Sequence, residues 1–480
     1  MLGEGIELTK VIIRGQNIVV FQVENSKIKE LELSIDCRGS SNVEMMDATG
    51  EVLIESLMYT VVIEPKSIAT ISILKLNAGY EVKTNFRYVI RDVAKEVQAA
   101  LLLEYNELLK SKVERARNEW QDMPIDVMPV ESIQKECRKK KCSFLDTEFP
   151  PSERSIFGPP GQKRITFDTE IQWRRPSEFM SALDGAGAEK PQIQVFDKTI
   201  EPADIKQGAL GDCWFMSALA SLAERPSLVD RLFITKHYSA EGIYRVKLCK
   251  NGEWVFVTLD DYFPCYVDGG PIFSRANGTE LWVLLLEKAY AKLHGSYMAL
   301  RSGFANEGMQ DLTGCPTICY ELENDLIQQS IQCGDFWKLM TYFDKEGFLL
   351  SASTPGQPPH HNDSRDASQL ADDAGLIPGH AYSVIQCVDA LGHQLLNVRN
   401  PWGEIEWQGD WSDNSPLWTQ KMIDLVKPNL SDDNDGSFWM CFQDFIQRFQ
   451  AVNVCRTKNY EEIRLKGKFL RVQDKNNQTN

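Results

Sequence analysis

The order in which strand-like and helix-like patterns follow one another constrains the fold of this chain most. Between residues 6 and 90, five or six runs rich in Val, Ile and Tyr are separated by turn-forming segments such as RGSSN and NAGY. No helical pattern interrupts them, and we therefore predict a small all-β domain, a sandwich or a barrel, over residues 1–91. From about residue 143 onward, helix-like runs come mainly first and strand-like runs mainly later. That order favours an α+β architecture of two lobes with a cleft between them.

The segment 92–142 indicates an amphipathic helix followed by a linker. Apolar residues recur at steps of three, four or a multiple from Asp92 to about Trp120, with charged residues between them. The recurring residues are Val93, Val97, Leu101, Tyr105, Leu108 and Ala116. Proline then becomes frequent, which predicts a linker or an extended run over a surface. The segment CRKKKC lacks a second cysteine pair at zinc-ligand spacing, and we interpret it as a basic surface loop.

Composition and charge exclude several classes of protein. The chain has 480 residues, of which 43% are hydrophobic and 25% charged, as in a folded protein of two to four domains. Its net charge of -16 argues against a nucleic-acid partner, because phosphate contacts require a basic face. The start lacks the pattern of a secretory signal, and no run reaches the roughly 18 apolar residues of a membrane span. We therefore expect the twelve scattered cysteines to be reduced thiols of a cytoplasmic protein.

One cysteine stands where a glycine-containing turn meets an apolar helix. In QGALGDCWFMSALASL, Gly208 and Gly211 permit a tight backbone, and Cys213 opens the helical run. A thiol in the first turn of a helix faces unpaired N–H groups and the positive end of the dipole, which stabilise the reactive thiolate. A free cysteine is also commonly a small buried hydrophobe, so this stretch alone leaves both interpretations open.

Three further residues complete a candidate catalytic set. His380, in LIPGHAYSVIQCV, follows a Pro-Gly turn at the start of an apolar strand, from which a base can face a cleft. Asn400, in NPWG, can accept the other ring N–H, and Trp402 can shield that bond from water. Gln207 can donate to an oxyanion beside the backbone N–H of Cys213. Each has a structural explanation alone, but cysteine, histidine and asparagine in this order predict a papain-like thiol protease.

These residues resemble the signature blocks of the calpain family. The blocks are QGALGDCW, LEKAYAKLHGSY, GHAYSV, RNPWGEIEWQGDWSDNS and DGSFWMCFQDF, preceded by FLDTEFPPSERSIF. The similarity extends from about Ser143 to Arg456 and implies a papain-like, two-lobed calpain protease core with intracellular cysteine endopeptidase activity. Lobe 1 would be residues 143–335, with the nucleophile helix, and lobe 2 residues 336–456, with His and Asn. We interpret residues 457–480 as the truncated start of a following β domain.

The resemblance also implies calcium binding in each lobe. Carried over by position, the ligands would be Asp204 and Glu280 in the first site, and Glu406, Asp413, Asp435 and the Asp433 carbonyl in the second. Oxygen ligands of this kind suit a hard cation, although acidic loop residues are otherwise simply solvated. The chain departs from the family at Ser437, where a glutamate is usual. It also has Thr199 and Pro202 where the family has a Gly-rich, Arg-bearing run, so the family's inter-lobe ion pair at position 202 is absent.

The sequence as a whole predicts a calcium-regulated, calpain-type cysteine endopeptidase that makes limited cuts in protein substrates by thiolate acyl transfer. It looks like an atypical calpain, because no EF-hand loop is found. One alternative is a calpain-like scaffold that binds without cutting, which the complete catalytic set disfavours. Another is a transglutaminase-like acyl transferase, which Asn400 in place of an aspartate disfavours. Residues 1–91 show no catalytic constellation, and we expect them to contact a protein partner.

Overall fold

The computed structural model describes most of the chain. The described residues are 6–13, 17–25, 29–46, 57–63, 65, 67–92, 95–121, 123–159, 170–180, 192–197, 199–267, 269–275, 278–356, 371–430, 435–458 and 463. Val93 and Asp433 lie outside them, as does nearly all of the predicted C-terminal segment 457–480.

The N-terminal region is a β-sandwich. Its described strands are β1 Ile6–Ile13, β2 Ile18–Asn25, β3 Lys29–Asp36, β4 Ser41–Met46, β5 Met58–Ile63, β6 Ser67–Glu81 and β7 Asn85–Asp92. One antiparallel sheet has the order β1-β2-β6-β4 and the other the order β5-β3-β7. Alternate side chains point into a core shared by both sheets, with Leu31, Leu33 and Ile35 of β3 almost completely buried. The two open sheets make this region a sandwich and not a barrel.

Helix α1, Lys95–Trp120, forms where the periodicity predicts a helix, but only part of the predicted stripe, including Tyr105 and Ala116, packs against the core. Its buried residues include Leu102, Leu109, Val113, Ala116 and Trp120, most of which join the core of lobe 1. The prediction was wrong for Val97 and Leu108, which are exposed. Leucines occupy several faces of this helix, and the surface of the neighbouring lobe decides which of them are buried.

The predicted linker contains a second helix, α2, Val130–Lys140. The interpretation of CRKKKC as a loop was therefore wrong: most of the segment is the last turn of α2, which ends at a left-handed Lys141. Cys137 is buried under it, and the guanidinium of Arg138 pairs with Glu241 at 2.7 Å. Basic side chains are favourable at this position because the carbonyl end of a helix is negative.

Lobe 1 is mainly helical, with short antiparallel strand pairs. Its described elements are α3 Glu153–Phe157, β8 Ile171–Arg174, α4 Pro176–Phe179, β9 Lys206–Gln207, α5 Cys213–Ala223, α6 Pro226–Asp230, β10 Ile243–Lys250, β11 Glu253–Asp260, β12 Phe263–Tyr266, β13 Ser274–Arg275, α7 Trp282–His294 and α8 Ala305–Thr313. Helix α5 is the centre of this lobe, since every residue after Cys213 is buried. Phe215 of α5 stacks on Tyr290 of α7 with ring centroids 4.2 Å apart. This packing fixes the end of α5 that carries the cysteine.

Lobe 2 is built on an antiparallel sheet. Its described elements are β14 Thr317–Glu321, α9 Asp325–Gln332, α10 Asp335–Lys345, β15 Leu349–Ser353, β16 Ala381–Ala390, β17 His393–Arg399, α11 Gln420–Val426, β18 Ser437–Cys441, α12 Phe442–Arg448 and β19 Ala451–Cys455. The strand order is β14-β19-β15-β16-β17-β18. The sheet therefore includes a strand that precedes residue 336.

The two lobes meet where α5 packs against the sheet of lobe 2. The hydroxyl of Ser221 donates to the carbonyl of Leu350 at 2.9 Å, and that of Ser383 donates to the carbonyl of Ser217 at 3.2 Å. These bonds join the helix that begins at Cys213 to strands β15 and β16. The fold is α+β, as the sequence predicts. Among the described residues, none of the helices combines the length and the apolar content that crossing a bilayer would require.

Candidate active site

Cys213 is the first residue of α5 and is held at the end of a tightly packed turn. The turn needs glycine at position 208, because a Cβ there would lie 1.8 Å from the carbonyl oxygen of Phe273. The next side chain, Trp214, donates from its indole N–H to the carbonyl of Leu300 at 2.8 Å. These contacts fix both the approach to the helix and its first turn, so the position of the thiol is set by the backbone.

The electrostatic surroundings of Cys213 contain opposing effects. Burial raises the pKa of the thiol to about 11, while the backbone N–H groups of Ala381, Trp214 and Cys213 itself favour the thiolate. Ala381 follows His380 directly, so lobe 2 contributes one of the donors to a sulfur that lobe 1 carries. A negative charge on Asp212 would further disfavour the thiolate. A base close to the sulfur would have to offset the rise in the thiol pKa that burial causes.

His380 is fixed in its backbone as well as its ring. Its N–H donates to the Thr354 hydroxyl at 3.0 Å, and its carbonyl accepts from the Thr354 N–H at 3.0 Å. The ring Nε2 lies 2.8 Å from Oδ1 of Asn400, the residue that follows β17. His380 and Asn400 are 20 residues apart in the sequence but in direct contact, because β16 and β17 pair in the sheet.

The hydrogen bonds of Asn400 determine the tautomer of His380. The amide Nδ2 donates to the carbonyls of Glu404 at 2.7 Å and Ile405 at 3.1 Å, while Oδ1 accepts the backbone N–H of Trp402 at 3.1 Å. This pattern fixes which end of the amide is oxygen. Nε2 of the neutral histidine must therefore carry the hydrogen, which leaves Nδ1 as the basic nitrogen.

The imidazole is buried between aromatic rings. The Trp402 ring lies 4.9 Å from it, and Tyr382 contacts it edge-on at 5.0 Å. Burial lowers the pKa of His380 to about 4, against a smaller opposing effect of the bond to Asn400. The histidine is therefore neutral near pH 7, as a general base must be.

Gln207 and Trp402 connect the lobes beside the thiol. The indole N–H of Trp402 donates to Oε1 of Gln207 at 3.0 Å, and the backbone N–H of Gln207 donates to the carbonyl of Pro401 at 3.1 Å. Nε2 of Gln207 donates to the carbonyl of Leu210 at 2.6 Å. Since that amide nitrogen carries two hydrogens, one remains for a further acceptor. Trp402 thus orients the glutamine amide as well as covering the histidine.

One cavity of about 590 Å³ brings these side chains together. Its lining includes Gln207, Cys213, His380 and Trp402, from both lobes. Of the catalytic residues predicted from sequence, only Asn400 is absent from the lining, because it is completely buried behind His380. A cleft that presents a thiol, a neutral imidazole and amide donors can accommodate a polypeptide carbonyl between them.

Asp204 and Glu280, the residues expected in a first calcium site, are both buried. Burial, together with the charges of Asp204 and Asp197, raises the pKa of Glu280 to about 7. Its Oε2 is buried and forms no hydrogen bond, although the indole N–H of Trp282 lies close enough to lower the pKa slightly. The atoms that could bind a metal here are carboxylate oxygens, and Oε2 of Glu280 accepts no hydrogen bond. Oxygen ligands of this kind fit a divalent cation of the calcium type.

The residues expected in a second calcium site are more fully engaged. Oε1 of Glu406 accepts the Gly436 N–H at 3.0 Å, and Oδ1 of Asp435 accepts the Ser437 N–H at 2.6 Å. Asp413 is of intermediate exposure, and both of its carboxylate oxygens are inaccessible. Within the described ranges, no three His, Cys, Asp or Glu side chains converge as a metal site. Any site here would depend on backbone carbonyls and water as well.

Sequence reasoning missed three residues around the candidate site. Arg399 is almost fully buried, and its guanidinium donates to the carbonyl of Ile205 in lobe 1 at 3.2 Å. Burial lowers its pKa to about 10, against the charges of Asp435, Asp204 and Glu224. Asp212 and Glu287 form a buried acid pair beside Cys213. Arg399 and Asp212 are charged residues next to the predicted catalytic residues Asn400 and Cys213, which was a signal in the sequence. Their burial follows only from the packing.

The geometry is that of a papain-like thiol protease, and comparison with known proteins identifies the family. Residues 144–456 match the calpain family cysteine protease domain. This match covers well over half of the chain, so the protein belongs to the calpain family of cysteine proteases.

Individual relatives agree with that assignment. The chain is 40% identical over 320 residues to calpain-type cysteine protease DEK1 of Zea mays, covering 66% of this chain and 14% of that protein. It is 33% identical over 365 residues to calpain-5 of Caenorhabditis elegans, covering 68% and 52%. It is 36% identical over 354 residues to the calpain-1 catalytic subunit of Rattus norvegicus, covering 71% and 45%. The chain thus spans about half the length of these animal relatives and far less of the plant protein.

Proposed function

We propose that this protein is an intracellular cysteine endopeptidase that makes limited cuts in protein substrates. The observation that carries the proposal is the shared cavity, which is lined by Cys213 of lobe 1 and His380 of lobe 2, with Asn400 fixing the histidine tautomer. All twelve cysteines lie within the described residues and are free thiols, in keeping with a reducing compartment.

The chemistry is acyl transfer through a thioester. Nδ1 of His380 takes the proton of Cys213, and the sulfur attacks the carbonyl carbon of a peptide bond. As the C–N bond breaks, the imidazolium returns its proton to the leaving amine. Water, deprotonated by the same imidazole, then attacks the thioester, which releases the new carboxyl terminus and regenerates the thiol. Asn400 accepts the hydrogen bond of Nε2–H throughout and so keeps Nδ1 as the basic nitrogen.

Two amide groups stabilise the negative oxygen that develops during attack. The backbone N–H of Cys213, at the start of α5, is one donor, and the second hydrogen on Nε2 of Gln207 is the other. Trp402 holds the glutamine by its bond to Oε1 and at the same time excludes water from the histidine–asparagine pair. The indole therefore supports both the base and the oxyanion donor.

We propose that calcium regulates this activity, since the buried carboxyl groups of Asp204 and Glu280 fit the ion. Asp204 and Glu280 would hold it in lobe 1, and Glu406, Asp413, Asp433 and Asp435 in lobe 2. The ion would supply positive charge to buried carboxylates that otherwise repel one another, as Asp204 does Glu280. Arg399 already places one positive charge between the lobes, near Asp204 and Asp435. We therefore expect calcium to increase activity rather than to be its sole cause.

Labelling and hydrolysis assays test the function. An epoxide thiol probe should modify Cys213, located by peptide mapping, and the purified chain should cleave a casein-like substrate. Titration against free calcium, with D204N and E280Q compared with wild type, tests the calcium step. Full activity in chelator would refute calcium regulation but leave the peptidase. Probe-labelled Cys213 without cleavage would favour a scaffold, and amine incorporation would favour an acyl transferase.

We also propose that the N-terminal sandwich contacts a protein partner. Val11, Ile12 and Ile13 are consecutive, exposed residues on β1, which is an edge strand of its sheet. Exposed edges with apolar side chains favour pairing with another chain. Ile12→Lys should weaken cross-links that map to β1 without changing peptide hydrolysis. Unchanged cross-links would exclude this edge as the contact.

A further inference from the structure

Two buried carboxyl groups face each other next to the nucleophile. Asp212 precedes Cys213 and is completely buried, and Glu287 of α7 is 2% exposed. Their side chains lie within hydrogen-bonding reach of one another. Neither group touches the substrate in the mechanism above, and neither belongs to the candidate calcium sites.

The pair has no neutralising cation. The nearest lysine along α7, Lys288, is already bound to Asp260 and to the carbonyl of Tyr262. Among the described residues, no ion pair involves Asp212 or Glu287. Burying two adjacent carboxylates without a cation is costly, because desolvation and mutual repulsion both oppose it. One of the two carboxyl groups must therefore be protonated.

The hydrogen bonds decide which group carries the proton. Oε2 of Glu287 accepts both the N–H of Ser274 at 3.2 Å and its hydroxyl at 2.7 Å, which stabilises a negative charge on Glu287. Both oxygens of Asp212, and Oε1 of Glu287, are buried without a donor. A proton on one oxygen of Asp212 that is donated to Oε1 of Glu287 gives each group one hydrogen bond that it otherwise lacks.

We propose that Asp212 and Glu287 share one proton, held by Asp212, and that this arrangement keeps the negative charge away from the sulfur of Cys213. Asp212 is therefore a positioning residue, because its protonation keeps the negative charge on Glu287. It occupies the N-cap of α5 but makes no side-chain cap bond, so the N–H groups of Cys213 and Trp214 remain available to the thiolate. The proposal deepens the proposed function, because it concerns how the same thiol becomes reactive.

The titratable groups facing the pair are consistent with this assignment. Burial raises the pKa of both acids; the charge of Glu287 raises that of Asp212 further, whereas the hydrogen bonds from Ser274 oppose the rise at Glu287. The Tyr297 hydroxyl, from the short 3-10 helix Tyr297–Leu300, faces both acids, and its pKa is also raised, chiefly by burial. Cys213 is a further titratable neighbour, and an ionised Asp212 would oppose its thiolate.

Two isosteric variants with the same net charge test the proposal. In D212N the negative charge stays on Glu287, whereas in E287Q the new amide donates to Asp212 and moves the charge next to the sulfur. The measurement is the rate of iodoacetamide alkylation of the Cys213 peptide against pH, which requires no peptide cleavage. We expect D212N to react within about twofold of wild type near pH 7, and E287Q about tenfold more slowly. In wild type, loss of the shared proton at alkaline pH should change the alkylation rate. D212N has no shared proton and should not show this change.

A matched control removes a carboxylate at the other end of the same helix. E224Q changes the residue that follows α5 and should leave the alkylation profile unchanged. Equal slowing in D212N and E287Q would overturn the proposal, as would equal rates in wild type and both variants. Because alkylation is measured directly, an intact profile without protease activity would refute the peptidase alone.

Infrared spectroscopy provides a second measurement that does not depend on reactivity. The difference spectrum of wild type minus D212N should contain the carbonyl band of a protonated carboxylic acid at neutral pH. A carboxylate band in its place would show that Asp212 is ionised and would refute the shared proton. Circular dichroism of each variant establishes that the fold is retained.

Discussion

The histidine side and the cysteine side of the cleft are built on different principles. On the histidine side, Asn400 uses both amide hydrogens and accepts two further bonds, and Thr354 holds the His380 backbone. On the cysteine side, the residue beside the thiol is an acid whose oxygens have no donor. Hydrogen bonds fix geometry in lobe 2, whereas in lobe 1 we propose that charge placement governs reactivity.

This difference predicts how the two sides respond to change. A hydrogen-bonded network tolerates little loss, because each deleted partner leaves a buried polar atom unsatisfied. A charge-governed site instead tolerates isosteric substitutions that keep the charge in place. Variants that remove a partner should therefore be most damaging in lobe 2, apart from loss of the nucleophile itself.

The largest expected effect is that of Cys213→Ala. Without the sulfur no thioester forms, and kcat/KM for peptide cleavage should fall by about 10⁴-fold or more. Cys319 is the matched control, since it is an exposed thiol lining the same cavity, and C319A should remain active. Steady-state hydrolysis of a fluorogenic peptide measures both. Substantial residual activity in C213A would mean that the nucleophile lies elsewhere.

Asn400→Ala should be the next most damaging change. It frees Nε2 of His380 and leaves the tautomer undetermined, so kcat should fall by about 10²-fold with a changed pH profile. Asn397→Ala, on the same strand β17, is the control and should leave the profile unchanged. If the two variants behave alike, the bond to His380 has no catalytic consequence.

Acid pH should destabilise the histidine side selectively. The folded-state pKa of His380 is about 4, below the ordinary value of 6.5, so the unfolded chain binds the proton more readily. The stability that this group contributes is present above pH 6.5 and is lost as the pH falls towards 4. Between neutral pH and pH 5, wild type should lose roughly 2 kcal/mol more than His380→Gln in urea unfolding. Parallel losses would show that His380 does not titrate in this way.

The smallest effect is expected for Trp402→Phe. The ring still covers His380, but the bond to Oε1 of Gln207 is lost, and kcat should fall about three- to tenfold. Trp418→Phe removes an equivalent indole bond, to the carbonyl of Ser412, away from the cleft and should not change kcat. A larger fall than in N400A would mean that orienting Gln207 matters more than orienting the histidine.

Much of the architecture could be predicted from the sequence because the relevant patterns are local. Helices α5 and α7 follow from long apolar runs, and the strand after His380 from its β-branched and aromatic residues. The burial of individual residues on α1 and α2 could not be predicted in the same way. Val97 and Cys137 show why, since the surface of lobe 1 selects among several apolar faces.

The candidate site likewise has features that the sequence predicts and features that it does not. The order of cysteine, histidine and asparagine predicts a thiol protease, and the family assignment agrees with it. Motif spacing could not show that Gln207 donates one amide hydrogen to the carbonyl of Leu210. It also could not show that Trp402 orients the amide of Gln207. The role of Glu287 was also hidden, because a glutamate in LLLEKAYAK is equally compatible with an exposed helix position.

The amino-acid order by itself determined most of the helices and strands, with α2 as an exception, and which side chains are chemically able to react. Only the tertiary structure decided which of them are neutral, which hydrogen each nitrogen carries and where negative charge resides near Cys213. The physical reason is that periodicity and motif spacing are properties of neighbours along the chain. Protonation depends instead on desolvation and on partners such as Asn400 and Ser274, which packing brings together from distant positions.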